Sequence, residues 1–196
     1  MPPSTTPTPP PSSLPRSSNP KLPTSIRNAA PWDASQIAHL GASTFTHTFG
    51  DSLPPADLEA YLNTSYAVPS ILSEITSPAM TTLVATSPAA PDNILGFTQL
   101  NTTSKEPCIE HLPAPVELQR LYVAIDAAGQ GIGRKLVEEA EHVARGLGKE
   151  ALWLGVWEGN SKGQGIYKRL GFEYIGHHDF VMGECVQRDW IMWKKL

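Results

Sequence analysis

The stretch from Leu118 to Leu136 constrains the fold of this chain more than any other. Val116 to Val123 reads as a buried strand. Gly129, Gly131 and Gly133 follow as a turn with almost no side-chain bulk. Ile132, Leu136, Ala140, Val143, Ala144 and Leu147 then recur at helical spacing, with Gly148 as the stop. Main-chain N–H groups of such a turn can approach a phosphate closely, and the dipole of the helix directs its positive end to the same place. An anionic ligand is the natural occupant.

The flanking sequence extends this unit into one interleaved α/β domain. Ser25-Ile26-Arg27 reads as a short first strand, and Asp33 as the N-cap of a helix reaching Gly50. Pro54-Pro55 opens a second helix, and Pro69 to Ile75 a third. Thr81–Thr86 and Ile94–Thr102 form a hairpin about the turn Pro91-Asp92-Asn93, and residues 103–115 form a proline-rich loop. Ala151–Val156 is a buried strand, Ser161–Leu170 a helix stopped by Gly171, and Phe172–Gly176 and Trp190–Lys194 close the sheet. Residues 1–23, mostly Pro, Ser and Thr, cannot repay their ordering entropy and read as a disordered tail, which leaves residues 24–196 as the domain.

Composition excludes several classes. A net charge of −4 argues against a nucleic-acid partner. No apolar run reaches membrane-spanning length and no secretory leader stands at the start, so the expectation is a cytoplasmic protein, with the nucleus as the alternative. Cys108 and Cys185 have no metal-ligand spacing, so no metal site is expected.

Three anion-binding readings compete at the glycine turn. A P-loop requires Gly-Lys-Ser/Thr where this chain has Gly133-Arg134-Lys135. A dinucleotide fold requires Gly-x-Gly-x-x-Gly near its first strand, whereas here Gly-x-Gly-x-Gly lies deep in the chain. The flanks favour a third. Leu121-Tyr122-Val123, the turn, Trp157-Glu158-Gly159-Asn160 and Tyr167-Lys168-Arg169-Leu170-Gly171-Phe172 succeed one another in an order that resembles the GNAT superfamily of acetyl-CoA-dependent N-acetyltransferases. The resemblance covers roughly residues 24–196 and is most specific over 117–195. Within it, Leu154–Glu158, Phe180–Glu184 and Trp190–Met192 are similar to PaiA-type polyamine acetyltransferases. The chain departs from the pattern at Ala128, where the family places Gln or Arg. It departs again at Gly163 and Gly165, each of which weakens a helix by about 0.8–1 kcal/mol relative to Ala.

The resemblance implies an α/β (α+β) GNAT fold, with a central mixed, mostly antiparallel twisted sheet of about six to seven strands flanked by helices. It implies direct acetyl transfer from acetyl-CoA to a primary amine, a polyamine or other small amine. The alternatives are a protein N-terminus or lysine as acceptor, and a non-catalytic CoA-binding sensor. Strand alternation puts Glu117, Gln119, Leu121 and Val123 on one face. By resemblance Glu117 is the general base and Tyr167 the general acid toward sulfur. Backbone groups of Leu121, Tyr122 and Val123 meet the pantetheine arm and thioester. Gly129, Gln130, Gly131, Ile132, Gly133 and Arg134 hold the pyrophosphate, Lys135 being a second candidate cation, and Asn160 and Lys168 complete the CoA contacts. The acceptor pocket is expected from Thr44, Phe45, Thr48 and Phe49 on one side. His177, His178, Asp179, Glu184 and Asp189, in a loop before the last strand, supply the other, their acids suiting a cationic acceptor. Exposed edge strands leave a homodimer open.

Overall fold

The glycine-turn unit lies at the centre of one seven-stranded sheet, ordered β1-β2-β3-β4-β5-β7-β6. The computed structural model describes residues 23–183 and 185–196, so the N-terminal tail (apart from Pro23) and the candidate Glu184 lie outside the described residues. The strands are β1 Ser25–Asn28, β2 Met80–Ser87, β3 Ala90–Asn101, β4 Pro115–Val123, β5 Ala151–Trp157, β6 Glu173–Met182 and β7 Cys185–Lys195. The helices are α1 Ala34–Phe49, α2 Pro55–Ser65, α3 Val68–Thr76, α4 Ile132–Gly146 and α5 Ser161–Arg169. Every strand pair is antiparallel except β4–β5, so the mixed, mostly antiparallel sheet expected from the sequence is present.

Two apolar layers clamp the sheet. On one face Ile132, Leu136, Val137, Ala140 and Ala144 of α4 pack on Leu83, Leu100, Val116, Leu118, Leu152 and Leu154, with Tyr167 and Leu170 beside them. On the other, Ile37, Phe45 and Ile71 from α1 and α3 cover Val84 and Phe97. Farther along that second face, Ile109 and Leu112 of the 103–115 loop cover Ala151, Trp153 and Ile191. The glycine turn is therefore anchored by a helix whose apolar stripe is buried from Ile132 to Ala144, with Val143 half-buried, while Leu147 just past its end is exposed.

Four local expectations differ. The β2–β3 turn falls at Pro88-Ala89, and Pro91-Asp92-Asn93 belongs to β3. Register shifts between Ala85 and Ser87 make the ladder irregular there, where a proline without a donor is tolerated. Asp33 does not cap α1 with its side chain. Its buried carboxylate instead accepts from Arg27 at 2.6 Å and from the N–H of Ala30 at 2.7 Å, which pins β1 to the start of α1. The expected loop before the last strand is a β6–β7 hairpin, turning at Gly183 with φ +61°. Polar residues on both of its faces hide its period in the sequence. Finally, Gln99 pairs with Arg120 and Leu100 with Leu118, which leaves Gln119 as a bulge. The bulge shifts the phase of β4. Glu117 therefore shares a face with Arg120 and Tyr122, while Leu121 and Val123 join Leu118 against α4, contrary to strict alternation.

Leu136 has no exposed surface and lies on the sheet-facing side of α4, the turn-bearing helix. Leu136→Ala is expected to cost about 2–5 kcal/mol, read as a lower urea midpoint with an unchanged slope.

Candidate active site

The β4–β5 ladder ends early. Pro115, Val116 and Glu117 pair with Ala151, Leu152 and Trp153, and then the strands part although each continues. The N–H of Ala124 donates to Leu95 of β3 at 2.9 Å, so peptide alternation turns the backbone groups of Val123 and Leu121 toward the gap. A cavity of about 400 Å³ occupies that gap, bounded by Leu118 to Val123 on one side and Gly155 to Trp157 on the other. Residues from both sheet faces line it, so the cavity passes through the sheet.

Beyond the end of β4, Gly129 and Gly131 hold φ of +80° and +81°, a left-handed backbone that an L side chain resists. Gly131 is the N-cap of α4, and no side chain caps that helix. The first amides of α4 have no intrahelical acceptor, and they carry the positive end of a fully formed helix. Gly133 differs from the other two. It is helical, and a Cβ there would meet only Val123 Cγ2, at an ordinary 3.5 Å. Packing within the chain does not require glycine at 133. Arg134 pairs with Glu138 at 2.7 Å on the exposed side of α4.

Glu117 and Tyr167 both line the cavity. They enter it from opposite faces, Glu117 beside Trp153 and Tyr167 from the α4 side, packed edge-on against Phe172 at 5.7 Å. Burial raises the pKa of the Glu117 carboxyl, opposed by a hydrogen bond from Ser104. Burial pushes the Tyr167 phenol up to about 12. Asn160 also lines the cavity and caps α5, its Oδ1 accepting from Gly163 N–H at 2.8 Å. A Cβ at Gly163 would lie 2.7 Å from Asn160 Nδ2, so glycine at 163 lets the cap close.

Phe45 and Phe49 stand in the wall with ring centroids 4.6 Å apart, and Thr44 and Thr48 join them. From the hairpin, strand alternation sends His178 inward and leaves His177 and Asp179 exposed. His178 Nδ1 lies 2.6 Å from Glu106 and Nε2 3.8 Å from Asp189. Asp189 and then Glu106 push its pKa up to about 9, so the ring is cationic at neutral pH. Lys168 is turned away, its Nζ 4.6 Å from the Tyr174 ring centroid.

The site also contains residues that the sequence did not mark. Glu106 comes from the loop. Tyr61, 4.6 Å from Phe45, completes the aromatic wall with Trp157, Phe180 and the ring of Tyr122, the last marked by the sequence only as a contact to the pantetheine arm. Arg120 lies in a polar network, bonded to Glu74 at 2.5 Å and Gln99 at 2.8 Å, so its charge is already committed. Trp153 is 1% exposed, and no described residue accepts its Nε1–H. A buried donor left so costs about 1–3 kcal/mol. Among the described residues no group of three or more His, Cys, Asp or Glu is placed to hold a metal, and no helix is long and apolar enough to cross a membrane.

Comparison with known proteins agrees with this geometry. Residues 44–172 match the model of the acetyltransferase (GNAT) family. An uncharacterised N-acetyltransferase from the pepI 3′ region of Lactobacillus delbrueckii subsp. lactis is 27% identical over 164 residues, covering 84% of this chain and 92% of the relative. The PaiA N-acetyltransferase of Thermoplasma acidophilum, solved with coenzyme A, superimposes with a TM-score of 0.71 at 23% identity, covering 89% of this chain and all of that one. The acetyltransferase yncA of Salmonella typhimurium, solved with acetyl-CoA, gives a TM-score of 0.60 at 21% identity, over 88% and 94% of the two chains.

Gly131→Ala is expected to lower stability by about 1–2 kcal/mol through its left-handed backbone, and to weaken coenzyme A binding in calorimetry. Gly133→Ala is expected to melt no lower than the parent, yet to bind coenzyme A more weakly. Unchanged affinity in Gly133→Ala would remove the ligand as the reason for that glycine.

Proposed function

Because the chain belongs to the acetyltransferase (GNAT) family, we propose that its cavity moves acetyl from acetyl-CoA directly to the primary amine of a small cationic acceptor, best a polyamine. The observation that carries this reading is the cavity through the parted sheet. It holds a buried carboxyl on one face, a phenol on the other, and two further carboxylates, Glu106 and Asp189, around an aromatic wall.

The residues present fit the co-substrate. The left-handed glycines and free amides of α4 suit a diphosphate, and the unpaired edge of Leu121 and Val123 suits an amide-bearing arm. Acetyl-CoA supplies the acetyl group and a thiolate leaving group. The protein manages the protons. An alkyl ammonium with pKa near ~10.4 is not a nucleophile. Glu117, its proton affinity raised by burial, takes one proton. Tyr167 stays protonated across the working range and gives its proton to sulfur as the C–N bond forms and the C–S bond breaks. The nitrogen sheds two protons in all. One leaves through Glu117 to solvent, and the other replaces the proton that Tyr167 gives up. The N–H of Val123, turned into the gap, is the donor for the developing oxyanion.

Acceptor size follows from the roof. Gln187 of β7 donates to Ser52 Oγ at 3.1 Å, which ties the hairpin to the α1–α2 connection. Such a bridge favours a small molecule over a folded protein. Aromatic rings and carboxylates together favour a cation.

Free-thiol detection across an acceptor panel is the direct test. Turnover of spermidine without turnover of peptides is expected. The reverse pattern would identify a protein acceptor, and coenzyme A binding without any turnover a sensor. Tyr167→Phe is expected to lower kcat by about 10²-fold or more with coenzyme A affinity retained, and the wild type should show no alkaline loss from Tyr167 up to pH ~10, well below its raised pKa. In Glu117→Gln the loss should be largest at neutral pH and shrink as the amine deprotonates unaided. A pH-independent loss would reject Glu117 as the base.

A further inference from the structure

We propose that the indole N–H of Trp153 is a positioning donor that holds the water through which Glu117 deprotonates the acceptor amine. The inference rests on the transferase reading above and names a residue that reading does not use. Trp153 is the register partner of Glu117 in the last pair before β4 and β5 diverge. Partners in a parallel ladder project to the same face, so indole and carboxyl stand side by side. Both line the cavity.

The ring of Trp153 is held by Ile109, Leu112, Ala151 and Ile191, apolar contacts that do not engage its N–H. What distinguishes tryptophan here is its buried N–H, which no described residue accepts. A water between indole and carboxyl satisfies that donor, donates to Glu117, and keeps a lone pair for the ammonium. Proton balance is simple. The ammonium gives one proton to the water as the water gives one to the carboxylate, leaving neutral amine, protonated Glu117 and intact water. An indole N–H donates and never accepts, so it fixes the water without taking the proton. The other charged or titratable groups facing this point are Glu106 from the loop, Arg120 and Tyr122 from β4, His178 and Asp189 from the hairpin, Tyr61 from α2 and Tyr167 from α5. Arg120 is bonded to Glu74 and Gln99, and His178 lies between Glu106 and Asp189. Glu117 thus forms no salt bridge among the described residues; Ser104 donates to it, and the charges of His178 and Arg120 act on it only through space.

The test uses the full chain with ¹⁵N-labelled indoles, its five tryptophan signals assigned by replacing the tryptophans one at a time. The Trp153 Nε1–H signal is expected to move with pH as Glu117 titrates, and to lose that movement in Glu117→Gln. This readout needs no turnover, so it is independent of whether an acceptor has been found. An acceptor screen that finds no turnover would sink the transferase reading and, with it, this one. In kinetics, Trp153→Phe is expected to lower kcat about tenfold to a hundredfold at neutral pH, less than loss of the base itself. KM for both substrates should stay within about twofold, the loss should fade at high pH, and little should be added in the Glu117→Gln background. An indole signal indifferent to Glu117→Gln would overturn the proposal, as would losses that multiply in the double variant, or a raised KM at unchanged kcat. If Trp153→Phe fails to fold, the Glu117→Gln spectrum decides alone.

Discussion

The early end of the β4–β5 ladder is the constraint on which the site depends. Two parallel strands joined by a helical crossover would ordinarily pair along their whole length, because unpaired backbone in a sheet interior loses hydrogen bonds worth about 0.5–1.5 kcal/mol each. Here pairing stops at Glu117 and Trp153, and the remaining backbone of β4 faces a cavity. The free edge gives a ligand main-chain partners whatever the side chains are. The same parting opens a passage through the sheet, so an acid and a base can reach one point from opposite faces.

The bulge at Gln119 decides which groups meet there. One extra residue turns Glu117 to the α1 side and keeps Leu121 and Val123 against α4. The same phase shift points Arg120 into the second layer, where Glu74 and Gln99 and the Ser65 carbonyl hold it. That network joins α2 and α3 to β4 and neutralises a buried guanidinium on Glu74. Removing either partner would strand a charge, at about 3–5 kcal/mol. The tie also keeps the arginine from forming a salt bridge with Glu117. Tyr66, its phenol donating to Tyr122 at 2.9 Å, carries the arginine over its ring and joins the aromatic wall to the network.

Much of this was legible in the residues, for identifiable reasons. The glycine turn, α4 and the strand before it were readable because one apolar period of about 3.6 follows a short apolar run. The sheet order was implied by resemblance rather than by periodicity. The phase of β4 was not legible, since a bulge at Gln119 leaves no signal in composition. The β6–β7 hairpin was hidden because its inward face mixes His178 and Gln187 with Phe180, lining a cavity where a core strand would show a run of apolar residues. Glu106 was missed because a loop acid becomes a site residue only through the approach of His178 from a distant strand. The face of α1 that carries Phe45 and Phe49 was readable from helical spacing, whereas the neighbouring rings of Tyr61 and Phe180 were set by tertiary packing.

The departures from the family pattern resolve differently once the geometry is known. Gly163 is a weak helix former, but a side chain there would press on the amide that caps α5, and that cap fixes the start of the helix carrying Tyr167. The cost of glycine, about 1 kcal/mol, is comparable to what a good N-cap contributes, so this helix exchanges propensity for a defined origin. Ala128 removes a side chain beside the turn but leaves its amides and both left-handed glycines in place. The anion recognition proposed for this turn is therefore a property of the backbone, which tolerates the loss of one polar side chain. The acceptor recognition proposed here rests instead on side chains that the fold gathers from α1, α2, the 103–115 loop and the hairpin, none of which forms the turn. A transferase built this way keeps one co-substrate while changing acceptors, and the acceptor has to be read from the wall rather than from the turn.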